Sequence, residues 1–139
     1  MKKCEHKTQY YETDQMGVVH HSNYIRWFEE ARTNLLEQIG IGYDKMEQQG
    51  IISPVIGLSC EYKKTTRFSE TVDITARITS LTGIKFSTYY EIIEKESGEL
   101  RCKGETKNCF LDRAGKPLNI KKKYPEVYKL LHGELENND

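Results

Sequence analysis

At 139 residues, with 21 Lys+Arg against 21 Asp+Glu, the chain has the size of one domain and no formal net charge. Nothing in that balance suggests a non-specific nucleic-acid binder, which needs a basic excess, although a local basic patch stays open, and no stretch approaches the ~20 apolar residues of a membrane span. Cys4, Cys60, Cys102 and Cys109 form no CxxC pair, no His is spaced to complete a zinc site, and no apolar run opens the chain. They are expected as free thiols in a reducing cytoplasm.

Residues 4–11 read as a strand of mixed quality, followed by a polar turn from Glu12 to Gly17. A long helix is expected over 22–39, because Tyr24, Trp27, Phe28, Ala31, Leu35 and Ile39 recur at intervals of three or four. Ile25 and Leu36 widen that stripe, so most of the helix surface should be buried. Arg26 and Glu30 are spaced to pair on its polar side. Ser22 or Asn23 can cap its start and Gly40 can end it. A shorter helix fits 43–49, closed by Gly50.

The pattern then changes to period two. Ile56, Leu58, Cys60 and Tyr62 share one face, and Val72, Ile74, Ala76 and Ile78 alternate with Thr71, Asp73, Thr75, Arg77 and Thr79. Ile84, Phe86, Tyr90 and Ile92 repeat the alternation, and 100–111 carries Arg101, Lys103, Glu105 and Lys107 on one side. The short breaks at Thr82-Gly83 and Glu96 to Glu99 suit antiparallel hairpins. A last helix should start at Tyr124-Pro125 with Val127, Leu130 and Leu131 as its stripe, and 134–139 is polar enough to fray. An antiparallel sheet with one apolar face must bury it on something. The economical solution is an α+β domain over 1–139 in which the sheet curls around the long helix.

The stretch from Tyr10 to Tyr24 sets a carboxylate, a glycine and two histidines immediately before that helix. A helix N-terminus offers unpaired N–H groups and positive partial charge, which can hold a developing oxyanion. Asp14, seven residues before His21, can serve there as nucleophile or as general base for water. The plainer alternative is that Asp14 makes a turn and the histidines cap the helix. A metal bound by Asp14, His20 and His21 is weaker still, since adjacent histidines point apart and no further ligand is evident. Nor does any cysteine have a base partner beside it to make a thiol nucleophile.

The same stretch resembles the signature of the 4-hydroxybenzoyl-CoA thioesterase family, in particular its Tol-Pal-associated branch. Thr13-Asp14, Gly17-Val18-Val19, His21 and Asn23-Tyr24 match in register. Trp27-Phe28-Glu29 with Ala31-Arg32-Thr33 is similar to the family's central helix, and Phe68, the Val72/Ile74 strand and Gly115-Lys116-Pro117 fit downstream. His20 stands where Tyr is usual, Thr65 where Pro is usual, and Ser69-Glu70 where an Asp pair is common, departures that bear on substrate preference.

The resemblance implies a hotdog fold, a homodimer or homotetramer with its active site between subunits, and hydrolysis of an acyl-CoA. It implies Asp14 as base or nucleophile, His21 in the site, and N–H groups around Gly17, Val18 and Val19 polarising the thioester carbonyl. No metal or cofactor is required, CoA being part of the substrate. Tyr24 could line an acyl pocket or simply belong to the core, as could Trp27 and Phe28. Lys63, Lys64, Arg67 and Lys85 are candidates for the CoA phosphates, although a charge run is usually a solvated face. Lys121 to Lys123 form a second cluster. Two alternatives stand beside this reading: a thioesterase acting on acyl carrier protein, and a non-catalytic acyl-ligand binder or scaffold.

Overall fold

Period-two alternation decides the architecture. In the computed structural model, which describes residues 2–136, the chain runs β1 (Lys2–Lys7), a helical turn (Tyr10–Glu12), α1 (Ser22–Gln38), α2 (Tyr43–Gln48), β2 (Val55–Tyr62), β3 (Thr71–Leu81), β4 (Lys85–Glu94), β5 (Leu100–Cys109), α3 (Ile120–Lys123) and α4 (Pro125–Glu136). The strands form one antiparallel sheet in the order β1-β3-β4-β5-β2. Val72, Ile74, Ala76 and Ile78 are buried, as are Phe86, Tyr90 and Ile92 on β4. These residues pack with α1, whose Trp27, Phe28, Ala31, Leu35 and Leu36 are at most 2% exposed. Close approach of helix and sheet explains Gly104, where an added Cβ would lie 2.6 Å from the Phe28 ring.

Several local expectations are corrected. β1 ends at Lys7 rather than 11, because Thr8 turns to bond Glu70 and the Glu12 side chain caps the N–H of Gln9. Neither Ser22 nor Asn23 caps α1: His21 precedes it with no side-chain cap, and Asn23 instead donates back to the carbonyls of Glu12 and His20. Gly40, at φ +91°, does follow the helix end. Glu30 turns to His6. Leu130 is exposed and Glu134 is buried in its stead, within a helix that continues to Glu136, into the stretch expected to fray; residues 137–139 lie outside the described residues. Ile84 precedes β4 and is exposed.

The core divides along α1. One cluster joins Val19, Tyr24, Trp27, Phe28 and Ala31 to Val72, Ile74, Tyr90, Ile92 and Cys102. The other joins Leu35 and Leu36 to Met46, Ile78, Phe86, Phe110, Val127 and Leu131. Among the described residues no helix is long and apolar enough to cross a membrane.

Candidate active site

The candidate site is assembled on Glu12. This buried carboxylate accepts the Gln9 N–H at 2.8 Å and His6 Nε2 at 2.9 Å on one oxygen, and the Trp27 indole N–H at 2.8 Å on the other. Its backbone carbonyl accepts the His20 N–H at 2.8 Å and Asn23 Nδ2 at 2.9 Å. One residue therefore ties β1, the turn before Asp14 and the first turns of α1 together. Burial pushes the Glu12 carboxyl up, but the hydrogen bonds from His6, Gln9 and Trp27 outweigh it and hold the group below its ordinary 4.5. The second ring nitrogen of His6 lies 3.2 Å from Glu30.

From Glu12 the chain makes a small hairpin. Thr13 bridges Val19, the Asp14 N–H bonds Val18 at 2.9 Å, and Gly17 closes the turn at φ +77°, a left-handed conformation that glycine adopts without strain. The half-buried Asp14 carboxylate accepts the Met16 N–H at 2.8 Å on one oxygen, so the turn-making role is visible in the structure. The N–H groups of Gly17, Val19 and His20 are taken by the carbonyls of Asp14, Thr66 and Glu12. Among the described residues, those of Val18 and His21 meet no backbone carbonyl. The hairpin is braced on its other side by Arg67, whose backbone bridges Val18.

Beside the hairpin a cleft of about 260 Å³ is lined by Val19, His21, Tyr24, Tyr62, Lys63, Lys64 and Thr65. His21 is exposed, its ring 4.3 Å from His20 and 6.2 Å from Tyr62. Tyr24 is buried at the cleft floor and donates its hydroxyl to Thr66 at 3.2 Å; burial pushes its phenol up. Tyr62 is pushed up to about 12, first by desolvation and then by the Cys60 thiol beside it.

The chain thus brings Val19, His21, Tyr24, Lys63 and Lys64 to one cleft, with Asp14, Gly17 and Val18 on the adjoining hairpin and Arg67 across from it. Lys85 is not brought there. It opens β4 opposite Cys109, seven residues along the strand from Ile92, which pairs Cys102 and through it Tyr62; that is roughly 23 Å of strand. Lys63 is ion-paired to Glu61 at 3.1 Å and Lys64 to Glu99 at 2.9 Å.

Sequence reasoning missed Glu12, Thr65 and Arg101, and left Tyr62 between pocket and core. Arg101 stands in the sequence on the β5 side that carries Lys103, Glu105 and Lys107, yet it is buried where Lys103 and Glu105 are half-buried and Lys107 is exposed. It grips Glu70 at 2.9 and 3.1 Å and the Thr65 carbonyl at 2.9 Å, fixing the segment that carries Lys63 to Arg67. A usable signal for Glu12 existed: a buried Trp needs an acceptor for its N–H.

The model of the thioesterase-like superfamily matches residues 8–129. A Bacillus subtilis (strain 168) protein, YneP, provisionally named an acyl-CoA thioesterase, is 35% identical over 127 residues, 91% of each chain. The Escherichia coli O157:H7 acyl-CoA thioester hydrolase YbgC is 26% identical over 91 residues, 66% of this chain and 68% of that one. A crystal structure of a DHNA-CoA thioesterase from Staphylococcus aureus superposes with a TM-score of 0.89 at 34% identity, covering 95% of this chain and 89% of that one. With its five-stranded antiparallel sheet packed on one long helix, the chain belongs to the thioesterase-like superfamily and has the hotdog fold.

Proposed function

We propose that the chain hydrolyses a small-to-medium acyl-CoA to the free acid and CoA, with Asp14 as its central carboxylate. Membership of the superfamily makes it a thioester hydrolase; the residue assignments are a reading of the geometry. The observation that carries them is the Asp14 hairpin set beside an open cleft and against the start of α1, where His20 Nδ1 takes the Ser22 N–H at 3.3 Å while the His21 N–H meets no backbone carbonyl among the described residues. One Asp14 oxygen is held by Met16, which leaves the other to act on water or on the thioester carbon. In the general-base form, water adds to the carbonyl as Asp14 takes its proton, the C–S bond breaks, and the CoA thiolate leaves with that proton returned to it. The oxyanion would be met by N–H groups at the helix start. Since those of Gly17, Val19 and His20 are spent on carbonyls, the role falls to Val18 and His21. His21, exposed in the cleft, hydrogen-bonds the reacting groups. No metal or bound cofactor enters this scheme.

The same reading makes the chain a single domain that works in the cytoplasm as a homodimer or homotetramer. β2 is an edge strand, and Ile56, Leu58 and Tyr62 on its helix-facing side are 52%, 45% and 49% exposed. An unpaired edge with an uncovered apolar row favours a second copy. Antiparallel pairing of two such edges would set the Tyr62 end of one chain beside the Val55 end of the other, which is the end where Lys85 stands.

An acyl-CoA panel read by released thiol tests the activity. Asp14→Asn keeps the shape and removes the basic carboxylate, so kcat should fall about 10²–10⁴-fold with little rise in KM. Near wild-type turnover by Asp14→Asn would leave Asp14 a turn residue. A sedimentation mass near the 16.2 kDa of one chain at micromolar concentration would remove the shared site.

A further inference from the structure

Segment 63–68 runs out of the cleft in a fixed order. Lys63, Lys64 and Thr65 line the cleft itself, Thr66 is buried against Tyr24, Arg67 lies across from Val18 on the hairpin, and Phe68 reaches Tyr10. The Tyr10 and Phe68 rings meet edge to face at 5.6 Å, yet they are 78% and 52% exposed. An aromatic pair left so open is expensive on a small surface unless something covers it. The pair is also firmly mounted: the Ser69 N–H bonds the Thr8 carbonyl, the Thr8 N–H bonds Glu70, and the Thr13 hydroxyl bonds the Tyr10 carbonyl at 2.7 Å.

The charges along the segment differ in availability. Lys63 and Lys64 are held by Glu61 and Glu99. Among the described residues the Arg67 guanidinium makes no ion pair; it lies near enough to Glu70 to help lower that carboxyl, while its backbone N–H donates to the Glu70 carboxylate and its carbonyl accepts the Glu70 N–H. A planar cation with no carboxylate paired directly to it, next to exposed ring faces and downstream of a cleft with two more cations, suits a ligand that carries phosphates and then a flat base.

We propose that Arg67, Phe68 and Tyr10 form the nucleotide subsite of this enzyme. Arg67 takes a phosphate of CoA and the aromatic pair stacks its adenine, so that the substrate lies along 63–68 with the thioester at the His21 end. The inference rests on the acyl-CoA reading and deepens it, because acyl carrier protein presents the same pantetheine arm without a nucleotide.

The test compares an acyl-CoA with the matching acyl-pantetheine, which lacks the nucleotide, on wild type, Phe68→Ala, Tyr10→Ala and Arg67→Gln. All three side chains are exposed, so the variants should fold. Each should raise KM for the acyl-CoA about five-fold or more, the size of a base-stacking contact, and leave kcat and the acyl-pantetheine KM unchanged. Calorimetric titration with adenosine 3′,5′-bisphosphate should show binding to wild type that the variants lose. Equal KM values for the two substrates on wild type with no bisphosphate binding would overturn the subsite while hydrolysis stood. So would variants that change the sedimentation mass and not KM, which would make the patch a subunit contact. If Asp14→Asn keeps full turnover, the catalytic reading fails by itself and the bisphosphate titration still decides this proposal.

Discussion

The two ends of α1 are packed by different physics. Around its first turns the core is threaded with polar groups, each held by directional bonds: Glu12 by His6, Gln9 and Trp27, Asn23 by two carbonyls, and Arg101 by Glu70 and Thr65. Around its last turns Leu35, Leu36, Ile78, Phe86, Phe110, Val127 and Leu131 close mainly by apolar contact, the buried Arg32, bonded to Tyr43 and Tyr90, marking where the polar network gives way to that cluster. Burial stabilises without caring about orientation, whereas a hydrogen-bonded network fixes positions and is costly when one member is removed. The end that carries Asp14 and His21, the residues of the proposed mechanism, is the end built from bonds that specify angles.

Substitutions can break this contrast, starting with the largest effect. Ile74→Asp buries an unpaired charge in the fully buried row of β3 and should abolish cooperative folding; a soluble variant with a sharp melt would falsify the placement of that row. Phe110→Ala, at the apolar end, should cost about 3–5 kcal/mol by denaturant titration and leave kcat per folded chain unchanged. Trp27→Phe keeps the ring but removes the N–H that holds Glu12. It should cost only about 1–3 kcal/mol, the penalty of an unmade buried bond, yet lower kcat toward the ~10²-fold that a misplacement of about 1 Å costs. If Phe110→Ala slows the enzyme as much as Trp27→Phe does, the two ends do not differ in the way described.

The same contrast explains what was legible in the sequence. The apolar framework was readable because periodicity is local: α1, β3 and the β3–β4 and β4–β5 hairpins stand where the spacing put them. The motif located the hairpin and the helix start by matching, and the open cleft beside His21 follows from that placement. What stayed hidden depended on contacts distant in sequence. Glu12 looks like a turn residue until Trp27, fifteen positions on, needs an acceptor. Arg101 looks solvent-facing until Glu70 covers it. The exposure of β2 was unreadable for another reason: its alternation is that of a covered strand, and nothing local says that α1 stops short of the sheet edge.

The smallest effect expected is in acid, and it should fall on one end of the molecule first. Glu12 and Glu70 both belong to the bonded end and are both held below the ordinary carboxyl value. For Glu12 the three donors outweigh burial, and for Glu70 the Arg101 hydrogen bonds lead, with burial opposing. Between the folded and unfolded pKa the unfolded chain binds more protons, so stability rises with pH there. The contribution of each carboxylate is therefore complete above its ordinary 4.5 and is lost as pH falls through the lower folded value. Thermal midpoints recorded between about pH 5 and 3 should drop more steeply for wild type than for Glu12→Gln, which has no carboxylate to protonate at that position. Hydrogen exchange over the same range should open the His20 amide, bonded to the Glu12 carbonyl, before the amides of α4 against Phe110 and Ile78. Parallel melting curves for the two proteins, with uniform exchange along the chain, would mean that Glu12 contributes packing alone and that the network at the head of α1 does not depend on its charge.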